Sequence, residues 1–158
     1  MKPKVYIETT IPSFYFENRK TADAIARKRW TREWWDDYRN NYLLVTSIVV
    51  LDELSSGAYS PEKKNKALSL ITGLPIVPVN ESVLEIVRAY IHHKVMPENP
   101  IGDALHLSLA SYHKCDFLLT WNCKHLANAN KFSHIRRINS ILGIFTPNLV
   151  TPLEMIGA

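Results

Sequence analysis

Short apolar runs that break abruptly into polar residues, with longer helical stretches between them, constrain this chain more than any other feature. Residues 4–7 (KVYI) are β-prone and run straight into Glu8-Thr9-Thr10, and Pro12 then ends the strand. Residues 43–46 read as a second strand, 76–79 as a third and 117–120 as a buried one, with a further short strand near Ile144 and Phe145. Between them, residues 20–39 carry good helix formers without an internal Gly or Pro. Ser47 is placed to cap a helix that runs through Leu54 and stops near Gly57. Pro61 opens another to about Ile71, and Asn80 can cap one that continues to about Val95. After Pro97 and Pro100 a helix is expected over 101–114, then a helical stretch over 122–130 and a further helix beyond Lys131.

Strands that alternate with helices predict a three-layer α/β/α sandwich with a short, mainly parallel central sheet covered on both faces. There is no internal repeat, low-complexity tract or Gly/Ser linker, so the 158 residues are read as a single domain, 1–158. With 46% hydrophobic and 22% charged residues, disordered and fibrous classes are out. No apolar run approaches the roughly 20 residues of a membrane helix. The N-terminal MKPKVYIETT meets an acid too soon to form a signal-peptide core, so a cytoplasmic protein without membrane association is expected. Cys115 and Cys123 fit no zinc spacing and are read as reduced, small, buried apolar residues. The net charge of +4 favours an anionic partner.

In open parallel sheets, ligands sit beyond the carboxyl ends of the strands. Four polar residues fall there. Glu8 ends the first strand, Glu53 lies about two turns into the helix after the second, Asp103 is in the first turn of the helix from Ile101, and Asn122 follows the strand at 117–120. Each also has a plain structural reading: a solvated turn acid, a surface helix acid, a helix-dipole acid and an N-cap. Together at one edge they point to chemistry. Carboxylates gathered without a cationic partner repel one another, and a hard divalent cation with oxygen ligands relieves this. Such an ion can activate water against a phosphodiester.

The strings YIETTIPS (6–13), TSIVVLDEL (46–54), IGDALHLSLA (101–110) and LLTWNCKHL (118–126) resemble, in order and spacing, the motifs of PIN domains, which include the VapC-type ribonuclease toxins of toxin–antitoxin pairs. The closing TPLEMI (151–156) also resembles the end of such domains. The resemblance implies a Mg²⁺- or Mn²⁺-dependent endoribonuclease that hydrolyses RNA phosphodiester bonds, usually a homodimer, with an antitoxin protein as partner. It makes Glu8, Glu53 and Asp103 the metal ligands. Asn122 falls at the fourth position of the site, and Thr120 matches a hydroxyl that steadies the acids. Two residues depart from the usual pattern: Glu8 stands where Asp is common, and Asn122 replaces a frequent acid, which removes one negative charge. Those departures motivate the alternative of a non-catalytic PIN-like module that binds RNA or protein. A phosphohydrolase with another substrate, such as DNA, is a third reading.

Other residues are weighed lower. His106 lies three residues from Asp103 but, between Leu105 and Leu107, reads as a satisfied core residue or a support for the ligands. Asp52 is expected in solvent, and Ser13 and Thr9 could orient a carboxylate or serve the turn. Arg19, Lys20, Arg27, Lys28, Arg29 and Arg32, with Trp30, Trp34 and Trp35, are an RNA-contacting face or an amphipathic helix whose tryptophans are core or dimer interface. Lys63, Lys64 and Lys66 are read as a solvated helix face. There is no GxGxxG or GxxxxGK phosphate loop.

Overall fold

The computed structural model describes residues 1–157. Strands β1 (Lys4–Ile7), β2 (Leu43–Val45), β3 (Phe117–Leu119) and β4 (Asn148–Val150) form one sheet in the order β2-β1-β3-β4. Every pairing is parallel. The sheet is short because each strand is flanked by polar or Pro-containing sequence, and it is buried because helices cover both faces. Val5, Tyr6 and Ile7 of β1 are wholly shielded from solvent, as a central strand in a three-layer sandwich requires.

The register places Val45, Tyr6, Leu118 and Leu149 in one row across the sheet. All four side chains are buried, and fully burying residues of this size contributes roughly 1.5–3 kcal/mol each. Helices α1 (Thr10–Tyr15) and α2 (Ala22–Glu33) connect β1 to β2. Helices α3 (Ile48–Ser56), α4 (Pro61–Ile71), α5 (Glu81–His92) and α6 (Gly102–Tyr112) connect β2 to β3, and α7 (Phe132–Leu142) connects β3 to β4. The chain leaves β1 toward β2 and later crosses back to β3, so the strand order reverses at β1. That reversal makes the crevice in which open α/β sheets hold ligands. Behind it, the Tyr90 hydroxyl donates to Asn139 Oδ1 at 2.6 Å and ties α5 to α7.

Several local expectations are corrected. Pro12 does not end regular structure: it sits in the first turn of α1, where its missing N–H is not needed. The helix expected over 20–39 is α2 followed by a π-helical turn, Trp34–Tyr38, and a 3-10 turn, Arg39–Asn41. That turn places Trp34 and Trp35 in the core, while half-buried Trp30 stacks on Trp121 at 6.1 Å. The strand expected over 76–79 reduces to one bridge between Thr46 and Ile76, because Pro75 and Pro78 lack the N–H a ladder needs. Residues 122–130 form turns and the 3-10 segment Ala129–Lys131 instead of a helix. The last strand lies at Asn148–Val150 and not at 144–145, because Gly143 ends α7 at φ 70° and the Ile144 N–H is used by Asn139 O. Ser47 occupies the N-cap position of α3 without a capping bond. Cys115 is buried as expected, but Cys123 is exposed. No described helix is long and apolar enough to cross a membrane.

Candidate active site

Glu8 leaves β1 with its N–H still donating to Leu119 O at 3.2 Å, so the sheet fixes its backbone. Its side chain is only 5% exposed. Oε1 accepts from Thr10 N–H at 2.9 Å, Thr10 Oγ1 at 2.5 Å and Thr120 Oγ1 at 2.9 Å. Burial pushes this carboxyl above the usual range, and His106 with the hydroxyl donors recovers part of that rise. The two threonines are themselves locked: Thr10 Oγ1 accepts from Trp121 N–H at 2.8 Å, and Thr120 Oγ1 from Asn122 N–H at 2.9 Å.

Glu53 reaches in from α3. Its Oε1 accepts from Thr9 Oγ1 at 2.5 Å and lies 2.6 Å from His106 Nε2. Burial works against ionisation here, but the His106 and Thr9 contacts outweigh it and hold the carboxyl below its ordinary range. The other oxygen, Oε2, lies so close to the start of α6 that a methyl group on Gly102 would collide with it. Gly102 is what lets the acid approach that helix.

Asp103 stands half-buried in the first turn of α6, and its Oδ1 accepts from Asn122 Nδ2 at 2.9 Å. The Asn122 amide has one possible orientation, since its Oδ1 accepts from His125 N–H at 3.0 Å. Asn122 therefore caps a turn and steadies an acid at once.

The residue that joins these groups is His106. It is 1% exposed, with Nδ1 2.8 Å from the Tyr6 hydroxyl, which in turn lies 2.7 Å from Ser47 Oγ. Burial alone would lower the imidazole's pKa. The Glu53 hydrogen bond and the charges of Glu8, Glu53 and Asp103 overcome that and raise it. The charges of all three acids thus favour the protonated form of one buried ring, against its burial.

In each carboxylate the hydrogen bonds fall on a single oxygen: Oε1 of Glu8, Oε1 of Glu53 and Oδ1 of Asp103. Carboxylate oxygens are the donor type that suits a hard divalent cation, so the residues fit such an ion in their chemistry. Yet among the described residues no three His, Cys, Asp or Glu side chains converge tightly enough to form a ready metal cage. The structure brings the four expected residues to one edge and links Asn122 to Asp103, Thr120 to Glu8 and Thr9 to Glu53. Ser13 is buried outside this hydrogen-bonded group, and Asp52 is exposed as expected.

Sequence reasoning did not find Tyr6, Ser47, Thr10 or Lys131. Thr10 was accessible as the second residue after a strand-end acid, a common place for a hydroxyl to bond back. Lys131 is half-buried, and burial lowers its pKa against the opposing charge of Asp103. Nothing in the local sequence distinguishes it.

A parallel α/β domain with carboxylates gathered at the strand reversal is the class this geometry defines. The PIN domain family matches residues 5–131, and the chain belongs to that family. PIN domains are generally nucleases. The match ends before α7 and β4. A chain in the crystal structure of VapBC2 from Rickettsia felis bound to a DNA fragment from their promoter is similar in fold, with a TM-score of 0.52 at 16% identity over 94% of this chain and 98% of that one. No curated protein matches the sequence.

Proposed function

We propose that the protein is a Mg²⁺- or Mn²⁺-dependent endoribonuclease that acts as the toxin of a toxin–antitoxin pair. The observation that carries the reading is the hydrogen-bonded support of three acids beyond the strand ends: Glu8 by Thr10 and Thr120, Glu53 by Thr9 and His106, and Asp103 by Asn122, each through a single oxygen. Glu8, Glu53 and Asp103 would hold the ion. When bound, a hard divalent cation supplies a polarised water and charge neutralisation at a phosphodiester. The chain does the positioning. Thr10 and Thr120 fix the Glu8 carboxylate, Thr9 and His106 fix Glu53, and Asn122 fixes Asp103. The likeness in fold to a chain of VapBC2 supports an antitoxin partner, and a homodimer in the cytoplasm completes the proposal.

One observation favours a second reading, a non-catalytic PIN-like module that binds RNA or protein: the acids do not form a ready three-ligand cage. Calorimetric titration with Mn²⁺ separates the two. Binding that disappears in Glu53→Gln supports the nuclease, and no carboxylate-dependent heat supports the module. The decisive experiment is induced expression of the wild type and Asp103→Asn, followed by mapping of RNA ends. Defined breaks with 5′-phosphates in the wild type alone are expected; equal cleavage by Asp103→Asn overturns the assignment.

A further inference from the structure

Between α2 and α4 lies a cleft of about 210 Å³ into which Lys28, Arg32, Lys63 and Lys66 all project, against the single acid Glu62. Glu62 is already paired with Lys66 at 3.0 Å on the exposed surface. Among the described residues Lys28 has no ion-pair partner, and Arg32 donates only from Nε, to Tyr15 O at 2.8 Å, with its guanidinium over the Tyr15 ring at 4.5 Å. Lys63 lies 3.9 Å from Glu17, but that acid is held more closely by Arg19 at 3.0 Å. The Ser60 hydroxyl, which caps α4, lines the same cleft and brings the positive end of that helix to it.

Like charges gathered on one wall oppose folding unless something compensates them. Burial lowers the Lys28 ammonium, and Arg32, Lys20 and Lys66 lower it further, while Lys63 is lowered by burial and then by Arg19 and Lys28; the one nearby charge of Glu17 opposes both shifts without cancelling either. An anion in the cleft would relieve both. The cleft is also joined to the acidic site by two elements. Helix α1 starts at Thr10, which holds Glu8, and ends after about 9 Å at Tyr15, next to Phe16, which lines the cleft. Helix α3 carries Glu53 and ends at Ser56, and the chain that follows passes through Ala58, Tyr59 and Ser60 in the recess beside the cleft.

We infer that this cleft is a phosphate subsite, where Lys28, Arg32, Lys63 and Lys66 bind the backbone of single-stranded RNA a few nucleotides from the acids. The choice of RNA as the polyanion rests on the nuclease reading above. The cleft reads no base: ammonium and guanidinium groups grip phosphate whatever the sequence, so its role is to hold and orient the strand.

The test measures binding of a short, fluorescein-labelled single-stranded RNA of mixed sequence, in EDTA so that the probe stays intact, across a range of salt. The doublet Lys28→Gln/Lys63→Gln should weaken binding about tenfold and reduce the log–log salt slope by about 1.4, since each lost phosphate contact removes about 0.7. The doublet Lys28→Arg/Lys63→Arg should keep the wild-type slope. Arg136→Gln/Arg137→Gln, which removes the same charge from the exposed face of α7, should leave the slope unchanged. An unchanged slope in the first doublet, or an equal loss in the α7 doublet, overturns the subsite. So does displacement of the RNA by a poly-glutamate peptide at equal charge concentration, which would make the cleft a dock for acidic protein. Cleavage by the wild type in Mn²⁺ is scored separately. If the doublets behave as stated and no cleavage occurs, the nuclease reading fails while the RNA subsite stands.

Discussion

His106 Nε2 lies 2.6 Å from Glu53 Oε1, and this contact ties a buried imidazole on α6 to the acid of α3. A double-mutant cycle of His106→Gln and Glu53→Gln should give a coupling of about 1–2 kcal/mol near pH 6, at the modest end because the Glu53 side chain is 38% exposed and solvent screens it. The imidazole's raised pKa means its charge stabilises the fold fully below its ordinary value of 6.5. That contribution is lost as pH rises through the raised one. The coupling should therefore shrink by pH 9, measured by urea unfolding; a coupling that grows with pH contradicts a charged His106.

Thr120 serves two neighbours with one hydroxyl, donating to Glu8 Oε1 and accepting from Asn122 N–H. Thr120→Val strands both partners in a buried place and should cost about 2 kcal/mol of stability, together with most of the cleavage. Thr120→Ser keeps the hydroxyl and should restore activity, with about 1 kcal/mol lost for the missing methyl. Equal behaviour of the two variants in a cleavage assay would reduce Thr120 to a packing residue.

Gly102→Ala separates site geometry from folding. Alanine is the better helix former by about 1 kcal/mol, so thermal stability should hold or rise slightly. The new methyl displaces Glu53 Oε2 while Thr9 and His106 hold the other oxygen. Mn²⁺ affinity should fall about 10–100-fold, as is usual when a ligand's support is disturbed. Undisturbed Mn²⁺ binding would mean that Glu53 is not a ligand.

Glu17 is buried, and the Arg19 side chain holds its carboxyl down to about 2. A depressed carboxylate stabilises the fold above its ordinary value of 4.5 and loses that contribution as pH falls toward about 2. Glu17→Gln should cost about 1–3 kcal/mol at neutral pH, with the gap to wild type narrowing steadily below pH 4.5. A gap independent of pH in urea titrations would assign the loss to packing rather than charge.

The residues that end or follow strands could be read from the sequence because period and punctuation mark them. Glu8 follows KVYI, Asn122 follows the run that becomes β3, and Asp103 opens a helix after two prolines. Hydrogen-bond supply decided the errors. Residues 76–79 have strand-like side chains, but two prolines withhold donors, and Ile144 is taken by the end of α7 before it can pair. The His106–Tyr6–Ser47 chain was beyond sequence reasoning for a different reason. Its members are 100 and 41 residues apart, and only the sheet register turns Tyr6 toward α6. The basic stretch shows the same limit from the other side. Its cations gain meaning only when α4 brings Lys63 and Lys66 alongside, whereas by sequence alone Lys63 reads as a solvated residue.

The Glu8 carboxylate is gripped by a hydroxyl 112 residues further along the chain. No fragment that stops short of β3 contains the grip, however well its first helices form. Most of the polypeptide must therefore be synthesised before that acid is fully held, and a nascent chain on the ribosome carries it without the hold.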